Sequence, residues 1–292
     1  MYINECNNNN ITYSIDMIRL KTYLTYTTFT EIEFRFNTVW KDYVSKKYNT
    51  PKMSDFYYNY VIEIEEGKSF WFGFMHNTEK RQVSERAEYN FTIEFNPNKL
   101  KDHKIIMYLL NLSGEWYLKS YDLACDLKIN ILDLIVDSSG RLEMKTISRK
   151  YDDKTIYFGK GDGRVKIYNK KKESNLNILG DLTRVEISRQ IDDFDIRNVK
   201  FLNFGKFFPT IYLNNYVYSF SDYDKKNSTM LAILYAIQNG YPIHNLSRVY
   251  RQKIKNLLEG GYKILFDETS ATGALRKTIF YYFIKNPRVI FK

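Results

Sequence analysis

The chain has 292 residues, 44% apolar and 17% aromatic, a composition too rich in core-forming side chains for a disordered protein and long enough for one large domain or one and a half. No apolar run reaches the length of a membrane helix, and the start Met1-Tyr2-Ile3-Asn4-Glu5-Cys6 lacks a basic stretch leading into an apolar one. Only Cys6 and Cys125 are cysteines, so a disulfide framework and a thiolate metal cluster are excluded and a reducing cytoplasm is expected.

In chain order, residues 7–10 form a polar terminus and 14–20 a first strand. Residues 58–65 and 69–74 form a hairpin around Glu66-Gly67-Lys68, and 89–96 another strand. A helix is expected from Asn98 to Leu110, and strands at 117–127, 155–158, 164–168 and 183–189. Gly159-Lys160-Gly161-Asp162-Gly163 lies between two strands with no Gly-Lys-Ser/Thr after it, so it reads as a hairpin turn and not a phosphate loop. The later part turns helical: 228–238 stopping at Asn239-Gly240, 245–258 ending at Gly260-Gly261, and 270–284. These elements predict an α+β fold, an antiparallel sheet with helices on one face and the site on the other, plus a C-terminal helical segment. The expected division is a strand-rich body over 1–222 and a basic helical segment over 223–292. Ile15-Asp16-Met17-Ile18-Arg19-Leu20 loosely echoes Tyr121-Asp122-Leu123-Ala124-Cys125-Asp126, as two strand–helix–strand halves would.

The charge supports that division. Of a net charge of +10, the stretch from Lys225 to Lys292 carries +9, twelve Lys and Arg against three acids (Glu259, Asp267 and Glu268). A near-neutral body with a basic end points to a polyanion, and Arg248, Arg251, Lys253 and Lys255 are the cations on the second of the three helices.

Four strands alternate between an apolar and a polar face. Val165 and Ile167 oppose Arg164, Lys166 and Tyr168. Leu123 and Cys125 oppose Asp122, Ala124 and Asp126. Val185 and Ile187 oppose Arg184, Glu186 and Ser188, and Ile93 and Phe95 oppose Thr92, Glu94 and Asn96. Of 26 tyrosines, Tyr168 is singled out because it shares a strand face with two cations. A phenol so placed can attack phosphorus while the cations hold the phosphodiester. Asp122, Asp126, Glu186 and Glu94 are candidate oxygen ligands, with cross-strand salt bridges as the plain alternative. His76, His103 and His244 are scattered with no His-x-His pair, so a metal here would be carboxylate-held, which means Mg2+ or Mn2+.

Four blocks then follow in order: Ile93-Glu94-Phe95-Asn96-Pro97-Asn98-Lys99-Leu100, Tyr121 to Asp126, Lys166-Ile167-Tyr168-Asn169-Lys170-Lys171, and Arg184-Val185-Glu186-Ile187. Together they resemble the rolling-circle replication initiators of the Rep_trans family from small plasmids of Gram-positive bacteria. The resemblance runs from about Glu94 to Ser188, with a fainter match at residues 15–20. It implies a metal-dependent enzyme that nicks one strand of a plasmid origin. Tyr168 would be the nucleophile, forming a 5′-phosphotyrosine and a free 3′-OH primer, with the strand rejoined at termination. Asp122, Asp126 and Glu186 would hold the metal, and Lys166 and Arg184 would steady the phosphate. Arg164, Lys170 and the four cations at 248–255 would contact DNA, an origin hairpin with its flanking duplex. A homodimer and a host helicase are implied as partners, and no membrane. The sequence departs from the family pattern at Lys166, where arginine is frequent, and at Ser120-Tyr121-Asp122, where Arg-Leu-Asp is frequent. A related conjugative relaxase is the alternative with the same chemistry, disfavoured because the chain begins almost directly with its first strand. A non-catalytic DNA-binding protein is the other.

Overall fold

The structure, a computed structural model, describes residues 11–41, 46–49, 56, 58–75, 90–101, 103–137, 144–148, 154–174, 179–213, 228–238, 241, 243–259, 263–284 and 286–291. The polar tract at 7–10, Cys6, His76, and the helix stops at 239–240 and 260–261 lie outside the described residues. The chain divides into two compact units, each drawn from separate stretches. The first is Met1–Tyr13, Ala124–Arg189 and Phe204–Ala271. The second is Ser14–Leu123, Gln190–Asn203 and Thr272–Lys292. The fold is α+β with a large antiparallel sheet and several helices, one of them C-terminal.

In the second unit the strands are β1 (Ile11–Thr22, entering from Ser14), β2 (Lys46–Asn49), β3 (Tyr58–Glu65), β4 (Lys68–Phe74) and β5 (Phe91–Phe95). They lie in the order β2-β3-β4-β5-β1, with antiparallel registers. The expected hairpin is β3–β4, turning at Glu66-Gly67 with Gly67 at φ +72°, a conformation glycine takes without strain. A helix that the sequence reading left out, α1 (Tyr26–Asn37), buries Phe29, Ile32 and Phe36 along one face. Phe29 stacks on Phe74 at 4.1 Å between ring centroids, and Phe36 on Phe72 at 5.5 Å. The helix expected from Asn98 begins later, as α2 (Lys104–Leu110). The Asn96 side chain captures the N–H groups of Asn98 and Lys99 at 2.9 and 3.1 Å, which makes a turn there, and His103 caps the helix.

Two long strands, β6 (Tyr117–Leu127) and β11 (Thr183–Asp195), contribute residues to both units. In the first unit they continue as β6-β11-β10-β9-β8, with β8 (Met144–Ser148), β9 (Lys154–Phe158) and β10 (Arg164–Asn169). β10 therefore sits between β9 and β11. Val165 and Ile167 are wholly buried on the same side as Ile156, Phe158, Val185 and Ile187. The short helix α3 (Lys170–Glu173) leaves β10 directly, capped by the Asn169 side chain.

β7 (Leu134–Asp137) and β12 (Thr210–Leu213) form a separate antiparallel pair. Against β7 pack α4 (Ser228–Gln238) and α5 (Arg248–Glu259), through Ile135, Met230, Leu234, Ile237, Ile254 and Leu258. The last helix, α6 (Glu268–Phe283), supplies most of its length to the second unit. There Leu275, Ile279 and Phe283 are wholly buried and the Tyr282 hydroxyl donates to the Pro97 carbonyl at 2.9 Å. Residues 223–292 are thus shared between the units, α4 and α5 in one and most of α6 in the other. Among the described residues no helix is long and apolar enough to cross a membrane.

Candidate functional site

The β10–β11 register sets Lys166 opposite Glu186 and Tyr168 opposite Arg184. Same-face residues on neighbouring strands also meet diagonally, and that diagonal brings the Tyr168 hydroxyl to Glu186, donating a hydrogen bond to its Oε1. The Lys166 ammonium lies 3.9 Å from the centre of the Tyr168 ring, and Lys170 lies 5.6 Å from it. Both are within reach of the negative ring face. Lys166 is also 3.8 Å from Glu186 and 3.7 Å from Glu173, and Lys170 bonds Glu173 at 2.8 Å. Glu173, to which the sequence reading gave no role, thus organises both cations from α3. Its position three residues after Lys170 was the available signal.

The phenol is therefore enclosed. Tyr168 keeps only 3% of its surface accessible, although it stands on the polar side of its strand. Burial, then the charge and hydrogen bond of Glu186, then the charge of Glu173 hold its pKa far above that of a free phenol, with Arg184 opposing weakly. Burial alone would raise the Glu173 carboxyl, but the Lys170 hydrogen bond and the charges of Lys170 and Lys166 bring it below the ordinary carboxylate value. The proton therefore stays on the Tyr168 phenol, and the acceptor within hydrogen-bond reach of it is Glu186.

Arg184 makes a two-pronged pair with Asp126, Nε to Oδ1 at 2.6 Å and Nη2 to Oδ2 at 2.7 Å. Asp122, half-buried on β6, belongs to the second unit. So does Glu94, which accepts from Arg19 directly across the β1–β5 pair. Of the expected metal set, Asp126 and Glu186 lie in the first unit and Asp122 in the second. Among the described residues there is no group of three or more His, Cys, Asp or Glu side chains placed to hold an ion. Asp126 gives both oxygens to Arg184 and Glu186 holds the tyrosine, so as they stand these residues do not fit a divalent cation. The same pairing keeps Arg184 turned to Asp126.

Of the remaining expected residues, Arg164 is exposed at the start of β10, 3.4 Å from the Ser188 hydroxyl. On α5, Arg248 and Lys253 are exposed and Lys255 is half-buried. Arg251, also half-buried, donates to the Leu246 carbonyl at 3.2 Å.

No family model and no curated protein matches the chain. Among solved structures it is similar to a rolling circle replication initiator protein from Geobacillus stearothermophilus. The identity is 11%, the match covers 88% of this chain and 99% of that one, and the TM-score is 0.38.

Proposed function

We propose that the protein is a rolling-circle plasmid replication initiator, a nicking and closing enzyme that cuts one strand of a double-strand origin. One observation carries this reading: the Tyr168 hydroxyl is hydrogen-bonded to Glu186 beneath the ammonium groups of Lys166 and Lys170. Two lysines beside a tyrosine and its base are what attack on a phosphodiester requires. Glu186 takes the phenolic proton as Tyr168 Oη attacks phosphorus in line. The P–O3′ bond breaks, and the departing oxygen takes a proton from water to become a 3′-OH that can prime synthesis. The 5′-phosphotyrosine keeps the bond energy of the phosphodiester, so rejoining runs the same path backward and needs no ATP. Lys166 offsets the charge that develops on the phosphate, and Arg184 joins it by exchanging Asp126 for a phosphate oxygen. The exposed cations Arg164, Arg248 and Lys253 would meet the flanking DNA. The motif resemblance adds a homodimer and a host helicase as partners.

The test incubates the protein with supercoiled plasmid carrying its own origin and Mg2+. Wild type should give open circles and a covalent protein–DNA adduct, and Tyr168→Phe neither. A Tyr168→Phe protein that still forms the adduct overturns the assignment, and wild type that binds without cutting favours a DNA-binding protein without catalysis. A parallel reaction in EDTA decides the metal. Cutting that persists leaves the charge with the lysines, and cutting that stops returns the carboxylates to a metal site.

A further inference from the structure

A cavity of about 540 Å3 opens in the second unit, bounded by the segment after α1, the β3–β4 turn and the residues running into α2. That volume suits a small organic molecule, for which pockets of ~300–1,000 Å3 are usual. Its lining carries four lysines, Lys68, Lys99, Lys101 and Lys104, and Glu65 is the one carboxylate among the described lining residues. Glu65 is paired to Lys68 at 2.7 Å, which leaves the cavity strongly cationic. Lys99 is steadied by the Gly67 carbonyl at 3.3 Å, and Lys101 lies 5.2 Å from the Tyr281 ring.

His103 adds a donor. Its Nδ1 accepts from the Ile105 N–H at 3.3 Å, so in the neutral ring the proton sits on Nε2. Burial, helped by Lys68 and opposed by Glu65, draws the imidazole pKa below its usual value and favours that neutral form. The rest of the wall is apolar. Trp40, edge-on to Phe36 and Tyr108 with ring centres 4.8 and 5.0 Å away, keeps 8% of its surface accessible, and Val39 beside it, 57% accessible, is the open part of this wall.

We propose that this cavity binds a nucleotide, its phosphates among Lys68, Lys99 and Lys104 and its flat base over Val39, with the edge of Trp40 behind it. Inorganic phosphate would satisfy the lysines but leave Val39 open to water, and an uncharged ring would leave the cations unanswered. Only a ligand with both parts uses the whole lining. The nucleotide arrives either free or as one unit of a single-stranded DNA. The cavity shares no residue with the Tyr168 site, so this inference does not depend on the nicking reading.

The full chain is titrated with ADP, with inorganic phosphate and with an oligo-dT ten-mer, followed by tryptophan fluorescence and thermal shift. ADP should bind and stabilise, and a Lys99→Glu/Lys104→Glu variant should bind it at least about ten-fold more weakly. Both lysines are exposed, and circular dichroism verifies that the variant is folded. If the source is a strand, the ten-mer displaces ADP from the wild type. If the source is free nucleotide, it does not. The inference fails if ADP does not bind, if phosphate binds as tightly as ADP, or if the variant binds ADP unchanged.

Discussion

At the residue scale the Tyr168–Glu186 pair makes two commitments. If Glu186 is the base, Glu186→Gln should keep DNA binding and lower the nicking rate by about 10²–10⁴-fold, the ordinary worth of a positioned base. Gel-resolved nicking beside a binding titration reads both. The second commitment concerns pH. The folded protein holds the phenolic proton more tightly than the unfolded chain does, because Tyr168 is buried and faces Glu186. Its contribution to stability is therefore complete below the unfolded value of about 10 and is lost as pH rises above it. In denaturant unfolding, wild type should lose stability relative to Tyr168→Phe above about pH 10, and the two should run parallel at lower pH. The facing of these groups was legible, because alternation has a period of two and Lys166, Tyr168 and Glu186 obey it. Their partners were not. Whether Glu186 meets a cation, a metal or a phenol depends on register and diagonal reach, and neither is written in a single strand.

Elements were legible where one local signal ruled. The β9–β10 hairpin follows from glycine-rich residues between two alternating runs. The helix α1 was hidden because Glu31-Ile32-Glu33-Phe34-Arg35-Phe36 alternates like a strand and is rich in residues that suit one. Only contact with Phe72 and Phe74 of β4 selects the spacing that buries Phe29, Ile32 and Phe36. The hairpin also carries a packing demand that its glycine count does not reveal. Gly163 has φ +77°, and a Cβ there would lie 2.9 Å from the Phe207 ring, which stacks under Arg189 with the guanidinium 3.3 Å from the ring centre. Arg189 in turn bonds Asp162 at 2.8 Å, which ties the turn to β11. Gly161 has φ +61° but open space around it. Gly161→Ala should therefore cost only the backbone strain, about 1–2 kcal/mol, and Gly163→Ala about 1 kcal/mol or more beyond that. Equal unfolding free energies for the two variants would mean that Phe207 moves aside at no cost.

At the scale of the whole molecule, the basic end of the chain is less a single surface than its charge of +9 suggests. Several of its cations fasten backbone instead. Arg276 donates to the Leu202 carbonyl at 2.8 Å and Arg288 to that of Leu112 at 2.6 Å, both in the second unit, and Arg251 donates to Leu246 within the first. Composition counts charges and cannot separate a cation spent on a carbonyl from one open to a phosphate. The exposed pair Arg248 and Lys253 on α5 differs, because the helix is held by Ile254 and Leu258 from its other side. Phosphate contacts release counterions, so each one lost should flatten the plot of log affinity against log salt by about 0.9. Arg248→Ala/Lys253→Ala should weaken duplex binding at low salt and reduce that slope by about 2 if both cations reach phosphates. Its unfolding midpoint should stay near that of wild type. Arg276→Ala should do the reverse, leaving the slope alone and lowering stability by about 1–3 kcal/mol, because a buried carbonyl loses a charged donor. A salt slope that responds to Arg276 and not to Arg248 and Lys253 would move the proposed DNA contact from α5 to α6.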